Sequence, residues 1–317
     1  MSSVNAAAPA VSTASTAAST PADFRYWMNT QLARVEQALS QWVAPSGTDA
    51  PAGLGEAMRY AVLDGGKRLR PLLVLAAAEA VDGHAQAALR AACAVELIHA
   101  YSLVHDDMPC MDNDVLRRGK PTVHVQFGEA QALLAGDALQ ALAFALLTPE
   151  ATEVPEALQA RLCRLLADAA GHRGMAGGQA IDLASVGRAL SEDQLRTMHR
   201  LKTGALLQGS VLMGAACAEV PAGVRQALSD YGSAIGLAFQ VVDDVLDVTA
   251  DSVTLGKTAG KDAAHDKPTY VSLMGLDQSR AYAQRLYAQA LEALEASRLP
   301  DTRALRALAD MVVNRHS

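Results

Sequence analysis

The stretch AALRAACAVELIHAYSLVH, residues 87–105, indicates a helix that is apolar on most of its faces. Alanine and leucine favour helix, and a helix without a broad polar face is buried among other helices. Apolar residues recur at spacings of three and four in residues 26–43, 71–81, 129–147, 156–170, 191–218, 222–248, 277–296 and 302–313. No alternating strand pattern occurs between them. The sequence therefore predicts an all-α fold, a single large helical bundle.

Composition supports one domain preceded by a tail. Half of the 317 residues are apolar, and no shift in composition marks a boundary, so we expect one domain over residues 21–317. Residues 1–20 are rich in Ala, Ser and Thr and have no charged side chain, which predicts a disordered tail rather than a signal peptide. No stretch has the uninterrupted apolar length of a membrane span.

Charge and cysteine content narrow the class of protein. The net charge of −7 argues against nucleic acid as a partner. The four cysteines show no metal-like spacing, so reduced thiols in a cytoplasmic protein are expected: Cys93, Cys110, Cys163 and Cys217.

The segment HDDMPCMDNDVLRRGKPT, residues 105–122, places four aspartates and one asparagine within ten positions. Two carboxylates at ~4 Å repel by roughly 4 kcal/mol at an effective dielectric constant of 20, so a cation must neutralise the group. Pro109 interrupts the preceding helix, and we expect the chain to turn so that Asp112 approaches Asp106 and Asp107.

A second acidic cluster lies in AFQVVDDVLDV, residues 238–248. Asp243, Asp244 and Asp247 follow helical spacing and share one face. A solvated face is the usual explanation, but the neighbouring valines leave little polar surface. Grouped oxygen ligands without His or thiolate suit Mg²⁺ or Mn²⁺. An EF-hand is excluded, because neither run has the glycine and terminal Glu of that loop.

Several basic segments accompany the two acidic clusters. GGKRLRP, residues 65–71, supplies Lys67, Arg68 and Arg70; it is not a Walker loop, because neither Ser nor Thr follows Lys67. Taken alone, it fits the start of a basic helix equally well. Arg and Lys are the usual phosphate-binding residues. The other candidate cations are Arg117, Arg118, Lys120, Lys202, Lys257, Lys261 and Lys267. A chain that has both metal sites and cationic sites is suited to binding two phosphorylated substrates.

Five motifs together resemble one enzyme family. GGKRLRP, DDMPCMDNDVLRRGKPT, GGQAIDL, LKTGALL and FQVVDDVLDVTADSVTLGKTAGKD occur in the order found in trans-isoprenyl diphosphate synthases, over about residues 24–315. Among these enzymes, the chain is most similar to bacterial farnesyl diphosphate synthases (geranyltranstransferases). The resemblance implies a helical bundle around a central cavity, a homodimer, and condensation of isopentenyl diphosphate with dimethylallyl or geranyl diphosphate.

The resemblance also implies roles for individual residues. Three Mg²⁺ ions, with Mn²⁺ as a substitute, are expected mainly on Asp106, Asp112 and Asp243, and the two motifs also contain Asp107, Asp244 and Asp247. The expected diphosphate-binding residues fall into an allylic set and an isopentenyl set, with Lys267 as a further substrate contact: Lys202, Lys257 and Arg117 for the former; Lys67, Arg70, His99 and Arg118 for the latter. The expected carbocation-stabilising groups are the Lys202 carbonyl, the Thr203 hydroxyl and the Gln240 amide.

Product length and reaction class have alternatives. Tyr101 and Ser102 precede Asp106 by five and four residues, so Tyr101 lies ~7.5 Å down the helix, where it forms either the floor of the chain pocket or an ordinary core contact. Asn113 replaces an aspartate frequent in bacterial farnesyl synthases and is also found in plant-type geranylgeranyl synthases, so C15 and C20 products both stay open. A terpene cyclase would lack the isopentenyl site, and a non-catalytic subunit usually loses aspartate motifs.

Overall fold

The computed structural model describes residues 21–44, 50–63, 65–150, 154–188, 190–249 and 269–315. Within these residues the chain is almost entirely helical, which confirms the predicted all-α class. Two short turns accompany the helices, a 3₁₀ turn at Pro51–Gly53 and a π-helical turn at Arg200–Gly204. The helices are α1 Pro21–Trp42, α2 Leu54–Leu63, α3 Leu69–Ala80, α4 Ala85–Asp106, α5 Val123–Phe127, α6 Glu129–Leu147, α7 Glu156–Ala170, α8 Met175–Ala184, α9 Glu192–His199, α10 Ala205–Ala215, α11 Ala222–Thr249, α12 Tyr270–Met274, α13 Leu276–Ser297 and α14 Arg303–Val313.

Helices α3 and α10 lie at the centre of the bundle. In α3 every residue except Arg70 and Glu79 is buried. One apolar cluster joins these two helices to α1, α2, α4, α6 and α7. A second cluster joins their other faces to α11, α13 and α14. Because a helix without a polar face must be covered all round, the two halves of the bundle share these central helices.

The long helix predicted over residues 191–218 is interrupted in the structure. Helix α9 begins with a capping box between Ser191 and Gln194. It gives way at Arg200–Gly204 to a π-helical turn, and α10 then continues to Ala215. Apolar periodicity did not reveal the interruption, because a five-residue turn is too short to change the spacing of apolar residues over a detectable length. Such turns are frequent at functional sites.

The sequence prediction missed four of the described helices and a hairpin. Helices α2, α5, α8 and α12 are short and were not predicted. The expectation of no strands was wrong at one place, where Leu116–Arg117 (β1) pairs antiparallel with Lys120–Pro121 (β2). Two-residue strands are too short to show alternation. The turn is formed by Arg118 (φ 53°) and Gly119 (φ 76°), both in the left-handed region that tight hairpins require.

Two helices are apolar and long enough to cross a membrane by length and composition alone, α4 and α6. Two thirds of the apolar window of α4 is buried, as in the core helix of a globular protein. Helix α6 is less covered, with 39% of its window buried, and Leu133 and Leu134 are 47% and 52% exposed. It therefore presents an apolar face outward.

Arg68 connects four helices at the start of α3. Its side chain is buried, and its backbone has a left-handed φ of 45°. The guanidinium donates to Glu36 of α1 and to Glu96 of α4, each at a donor–acceptor distance of 2.7 Å. It also donates to the carbonyl of Val62 in α2 over 2.6 Å. Burial alone lowers the pKa of Arg68, but Glu36 and Glu96 reverse that effect and raise the pKa above its ordinary value.

We expect Arg68→Met to lower the free energy of unfolding by about 3–5 kcal/mol, because Glu96 is left as a buried charge without its cation. Urea unfolding followed by circular dichroism measures this. Lys67→Met at the exposed neighbouring position is the control and should change stability by less than about 0.5 kcal/mol. A loss below about 1 kcal/mol at position 68 contradicts the anchoring role.

Candidate active site

The first aspartate motif turns back at the end of α4, as predicted. Helix α4 ends at Asp106, and the amide of Asp112 donates to the carbonyl of Asp106 over 2.9 Å. The amide of Asp114 donates to the carbonyl of Asp107 over 3.1 Å. Asn113 has a left-handed φ of 51°, a conformation that asparagine adopts more readily than most residues. The asparagine is therefore suited to the turn.

Asp106 lies where its negative charge is poorly stabilised. Burial raises the pKa of its carboxyl to about 6; nearby Lys202 opposes this rise, whereas Asp112 adds to it. A buried carboxylate beside another carboxylate is stabilised by a bound cation. The donor set here is all oxygen, which suits Mg²⁺.

Asp107 and Arg117 pair with each other. Arg117 Nε donates to Asp107 Oδ2 over 2.8 Å, and Nη2 donates to Oδ1 over 2.6 Å. Such a two-pronged contact is the strongest geometry for this ion pair. Burial raises the pKa of Asp107, and its bonds with Arg117 oppose that rise. The sequence predicted a metal ligand and a diphosphate contact at these positions; the structure joins the two in one ion pair at the edge of the site.

The aspartates of the second motif have different surroundings. Asp243 accepts from Arg315, whose guanidinium also donates to the carbonyl of Phe239 over 3.0 Å and lies 4.2 Å from its ring centroid. Asp244 is buried and accepts from Gln240 and from the backbone of α12. Asp247 is buried one turn further along α11.

The carboxylates of the two motifs do not converge into one cluster. Within the described part of the chain, no three His, Cys, Asp or Glu side chains come close enough to hold a metal ion by themselves. Mg²⁺ commonly keeps water and takes phosphate oxygens beside one or two carboxylates, so a phosphorylated ligand would complete such a site.

The predicted anion-binding residues lie close together. Burial depresses the pKa of His99 far below its ordinary value, and Arg70, Arg118 and Arg117 act in the same direction. Arg70 has a lowered pKa through burial, opposed by Glu96 and Asp243. Its Nε is buried and has no hydrogen-bond partner among the described residues. Excess positive charge with an unpaired buried donor indicates an anion site.

Lys67 and Arg118 connect this group to its surroundings. The pKa of Lys67 is lowered by partial burial and by Arg315, while Asp243 opposes the shift. The guanidinium of Arg118 donates to the carbonyl of Gly65, and a Cβ at Gly66 would lie 2.9 Å from that guanidinium. Gly66 has a left-handed φ of 138°, which favours glycine at this position, and the absence of a side chain leaves room for the guanidinium. The hairpin thus rests on the GGKRLRP segment.

The π-helical turn presents Lys202 and Thr203 to the same region. Lys202 Nζ pairs with Asp182 of α8 over 2.6 Å. A Cβ at Gly178 would lie 2.0 Å from the backbone nitrogen of Lys202, so α8 approaches the turn only because position 178 is glycine. Thr203 Oγ1 donates to Gln240 Oε1 over 3.0 Å, which places the three predicted carbocation-stabilising residues together.

Tyr101 and Ser102 occupy the face of α4 next to α6. The Tyr101 ring lies edge-to-face with His105 at 5.7 Å between centroids. Burial raises the pKa of Tyr101, and a hydrogen bond with Gln140 of α6 opposes the rise. The Ser102 hydroxyl donates to the carbonyl of His99 over 2.8 Å, so it bonds within its own helix. The tyrosine ring is therefore fixed between the two helices.

Comparisons with known proteins agree with this arrangement. The family model for polyprenyl synthetases matches residues 51–305. The chain belongs to the polyprenyl synthetase family. It is 45% identical over 298 residues to the farnesyl diphosphate synthase of Escherichia coli, covering 93% of this chain and 99% of that protein. It is 46% identical over 273 residues to a chloroplastic geranylgeranyl pyrophosphate synthase of Catharanthus roseus, covering 86% and 76%.

A solved structure shows the same polyprenyl synthetase architecture. The crystal structure of geranyltransferase from Helicobacter pylori complexed with magnesium and isoprenyl diphosphate has a TM-score of 0.80 with this chain at 34% identity. The match covers 94% of this chain and 98% of that chain.

Some predictions about this polyprenyl synthetase concern residues outside the described part of the chain. In addition, the sequence analysis did not identify some residues that the structure places at the site. Lys257 and Lys267 lie outside the described residues, as does the predicted tail 1–20. Sequence reasoning assigned no role to Asp182, although the lone carboxylate within GGQAIDL was a usable signal. Arg315 gave no signal, because it lies outside every motif.

His199, at the end of α9, was also missed. It is 6% exposed, and neither ring nitrogen has a hydrogen-bond partner among the described residues. Its ring lies 5.6 Å from that of Tyr270. Burial lowers the pKa of His199 to about 4, although Asp182 acts in the opposite direction. The histidine is therefore neutral in the folded protein.

This burial predicts an acid-sensitive stability. Between pH 6.5 and about 4 the unfolded chain binds a proton that folded His199 does not, so the free energy of unfolding falls as the pH falls. Relative to His199→Phe, the protein should lose about 2 kcal/mol more stability between pH 7 and pH 5. Urea titrations at both pH values measure this. His172→Phe at an exposed position is the control, and equal losses in the protein and the His199 variant would contradict the assignment.

Proposed function

We propose that the protein is a farnesyl diphosphate synthase, which joins isopentenyl diphosphate to dimethylallyl diphosphate and then to geranyl diphosphate. The observation that supports this most is the cationic group around Arg70 and His99, which lies near Asp243 of the second aspartate motif. One diphosphate bound through metal ions and another bound directly by cations need these two environments side by side. The E. coli relative has the same name and matches along 93% of this chain.

Magnesium suits the carboxylates of this site. We assign Asp106, Asp112 and Asp243 as the principal ligands of up to three ions, with Mn²⁺ as a substitute, and Asp107, Asp244 and Asp247 as their supporting residues. Bound Mg²⁺ would supply electrostatic stabilisation of the leaving diphosphate. The raised pKa of Asp106 fits this role, because a buried carboxylate near other carboxylates favours a divalent partner. The H. pylori structure was solved with magnesium.

Different residues of the chain act at different steps of the reaction. Lys202 neutralises charge on the allylic diphosphate as its C–O bond breaks, and Asp182 holds the ammonium in place. The Lys202 carbonyl, the Thr203 hydroxyl and the Gln240 carbonyl face the carbocation with lone pairs. The double bond of isopentenyl diphosphate then attacks, and the departing diphosphate accepts the proton that is lost. No side-chain base is required.

The isopentenyl site consists of Lys67, Arg70, His99 and Arg118. Neutral His99 donates one hydrogen bond without adding charge, which suits a group already surrounded by four arginines. Buried Arg70 Nε supplies a donor that is satisfied on binding the anion. Arg117, Lys257 and Lys267 are proposed as further diphosphate contacts.

A geranylgeranyl diphosphate synthase is the second candidate, because the C. roseus enzyme is 46% identical to this chain. Tyr101 favours the shorter product. Tyr101 lies on α4, the helix that ends at Asp106. Its ring is held by His105 of α4 and by Gln140 of α6. A bulky ring at this depth blocks a further isoprene unit.

We also propose that the enzyme is a cytoplasmic homodimer. The four cysteines are free thiols, as expected in a reducing compartment. The outward apolar face of α6, including Leu133 and Leu134, suits a second copy of the chain. Light scattering after size exclusion should give about twice the 33.1 kDa chain mass; the mass of a single chain at micromolar concentration contradicts the dimer.

Product analysis tests the proposed function. The purified protein with labelled isopentenyl diphosphate, each allylic diphosphate and Mg²⁺ should yield farnesyl diphosphate, and EDTA should abolish turnover. Asp106→Asn and Asp243→Asn should each lower kcat by several orders of magnitude with small effects on stability. No prenyl product under these conditions would refute the proposal.

Tyr101→Ala should shift the main product from C15 toward C20 or longer, because the space left by the ring accepts another isoprene unit. Chromatography of the dephosphorylated products measures this. Tyr26→Ala, at a tyrosine that is 77% exposed on α1, is the matched control and should leave the product unchanged. A C15 product from the Tyr101 variant means that other residues form the floor.

A further inference from the structure

A continuous chain of hydrogen bonds runs from the π-helical turn to α12. Thr203 Oγ1 donates to Gln240 Oε1 over 3.0 Å, and Gln240 Nε2 donates to Asp244 Oδ1 over 2.9 Å. The backbone nitrogen of Tyr270 donates to Asp244 Oδ2 over 2.8 Å. Asp244 is only 2% exposed, and Tyr270 is completely buried. The inner end of this chain is therefore fixed inside the protein.

The chemistry of Asp244 determines the direction of every bond in this chain. Both carboxylate oxygens of Asp244 act as acceptors, Oδ2 for the Tyr270 nitrogen and Oδ1 for Gln240, so the Gln240 group that faces Asp244 is the NH₂. The amide oxygen of Gln240 then faces Thr203, and the Thr203 hydroxyl must act as the donor. Because the hydroxyl has one proton, only lone pairs remain on its other side.

We propose that Asp244 is a positioning residue for prenyl transfer: it orients Gln240, and through Gln240 it makes the Thr203 oxygen an electron-pair donor toward the allylic carbocation. The inference rests on the proposed function, in which Thr203 and Gln240 face that cation. The negative charge on Asp244 also polarises the hydrogen bonds through Gln240 to Thr203, which increases the partial negative charge on the Thr203 oxygen.

The backbone geometry supports this role. A Cβ at Gly236 would lie 2.8 Å from the Cα of Gly204, so α11 and the π-helical turn are in direct backbone contact. This contact lets the short Thr203 side chain reach Gln240, one turn further along α11. At the other end, the Thr269 and Ser272 side chains cap α12 and hold the amide of Tyr270 toward Asp244. Backbone contacts therefore hold both ends of this chain of hydrogen bonds.

Asp244→Asn tests the orientation. The carbonyl of the new amide must serve the fixed Tyr270 amide, so its NH₂ faces Gln240 and turns that side chain over. Thr203 then accepts from Gln240 and points its own proton at the cation. We expect kcat to fall about 100-fold, as for loss of a preorganised electrostatic contact. The KM for both substrates should change by less than about threefold.

Binding of a cation provides a readout that is independent of turnover. A tertiary-ammonium analogue of the allylic cation, with inorganic diphosphate and Mg²⁺, should bind Asp244→Asn about 100-fold more weakly, because carbocation mimics report transition-state contacts. An uncharged isostere of the same shape should bind both proteins equally. Calorimetry measures both affinities. Unchanged affinity for the ammonium analogue in the variant overturns the proposal.

A charge-swapped variant tests rescue. In Gln240→Glu combined with Asp244→Asn, the new carboxylate at position 240 accepts from Thr203 and from the new amide at position 244. That amide still accepts from the Tyr270 nitrogen, so every bond pairs a donor with an acceptor and Thr203 donates again. We expect at least about tenfold recovery of kcat and ammonium affinity over Asp244→Asn. No recovery overturns the proposal, as expected if Asp244 acts only as a metal ligand.

Controls separate the remaining explanations. Asp230→Asn alters an exposed Gln–Asp pair of the same spacing on the same helix, where Gln226 donates to Asp230 over 2.8 Å, and should leave kcat unchanged. Turnover by the unmodified protein decides the proposed function before any variant is compared. If Asp244→Asn does not fold, the charge-swapped protein is compared with its Thr203→Val derivative. Loss of ammonium affinity in that derivative supports the proposal, and equal affinity overturns it.

Discussion

The buried guanidinium of Arg68 is the contact on which the arrangement of the active site depends. By donating to Glu36, Glu96 and the Val62 carbonyl, it joins the start of α3 to α1, α2 and α4. Lys67 and Arg70 flank it in sequence, and His99 lies one turn after Glu96 on α4. One buried ion-pair network therefore sets the position of the anion-binding residues relative to the first aspartate motif. The cost of burying Arg68 is offset only because its donors meet charged or carbonyl oxygens.

Charge compensation explains the rest of the site. Arg117 neutralises Asp107, Arg315 neutralises Asp243, and Lys202 is held by Asp182. Asp106 and the group around Arg70 and His99 are less well balanced, one negative and the other positive. A magnesium diphosphate and a free diphosphate have the complementary charges. The protein thus has excess negative charge at Asp106 and excess positive charge around Arg70 and His99, and its bound ligands neutralise both.

Composition and periodicity predicted the helical class, and Pro109 predicted the turn that follows it; both agree with the structure. The resemblance to trans-isoprenyl diphosphate synthases implied a common role for Lys202, Thr203 and Gln240, and Thr203 does contact Gln240. Sequence reasoning did not predict the π-helical turn or the small hairpin, because neither changes the spacing of apolar residues over a detectable length. It expected Asp106, Asp112 and Asp243 as the main metal ligands but did not distinguish the other three motif aspartates from one another. Only tertiary contacts separate Asp107, paired with Arg117, from Asp244, which accepts from Gln240 and Tyr270.

The contact between Gly204 and Gly236 has a consequence for how the chain can vary. Because two backbones touch there, the separation of the π-helical turn from α11 is independent of which side chains fill the core. Core substitutions can accumulate elsewhere without moving Thr203 away from Gln240. Scanning the chain with alanine in place of larger residues would not detect this constraint, because the sensitive position, Gly236, already lacks a side chain. The distance between Thr203 and Gln240 is thus sensitive to a methyl group added at Gly236 rather than to substitutions elsewhere in the core.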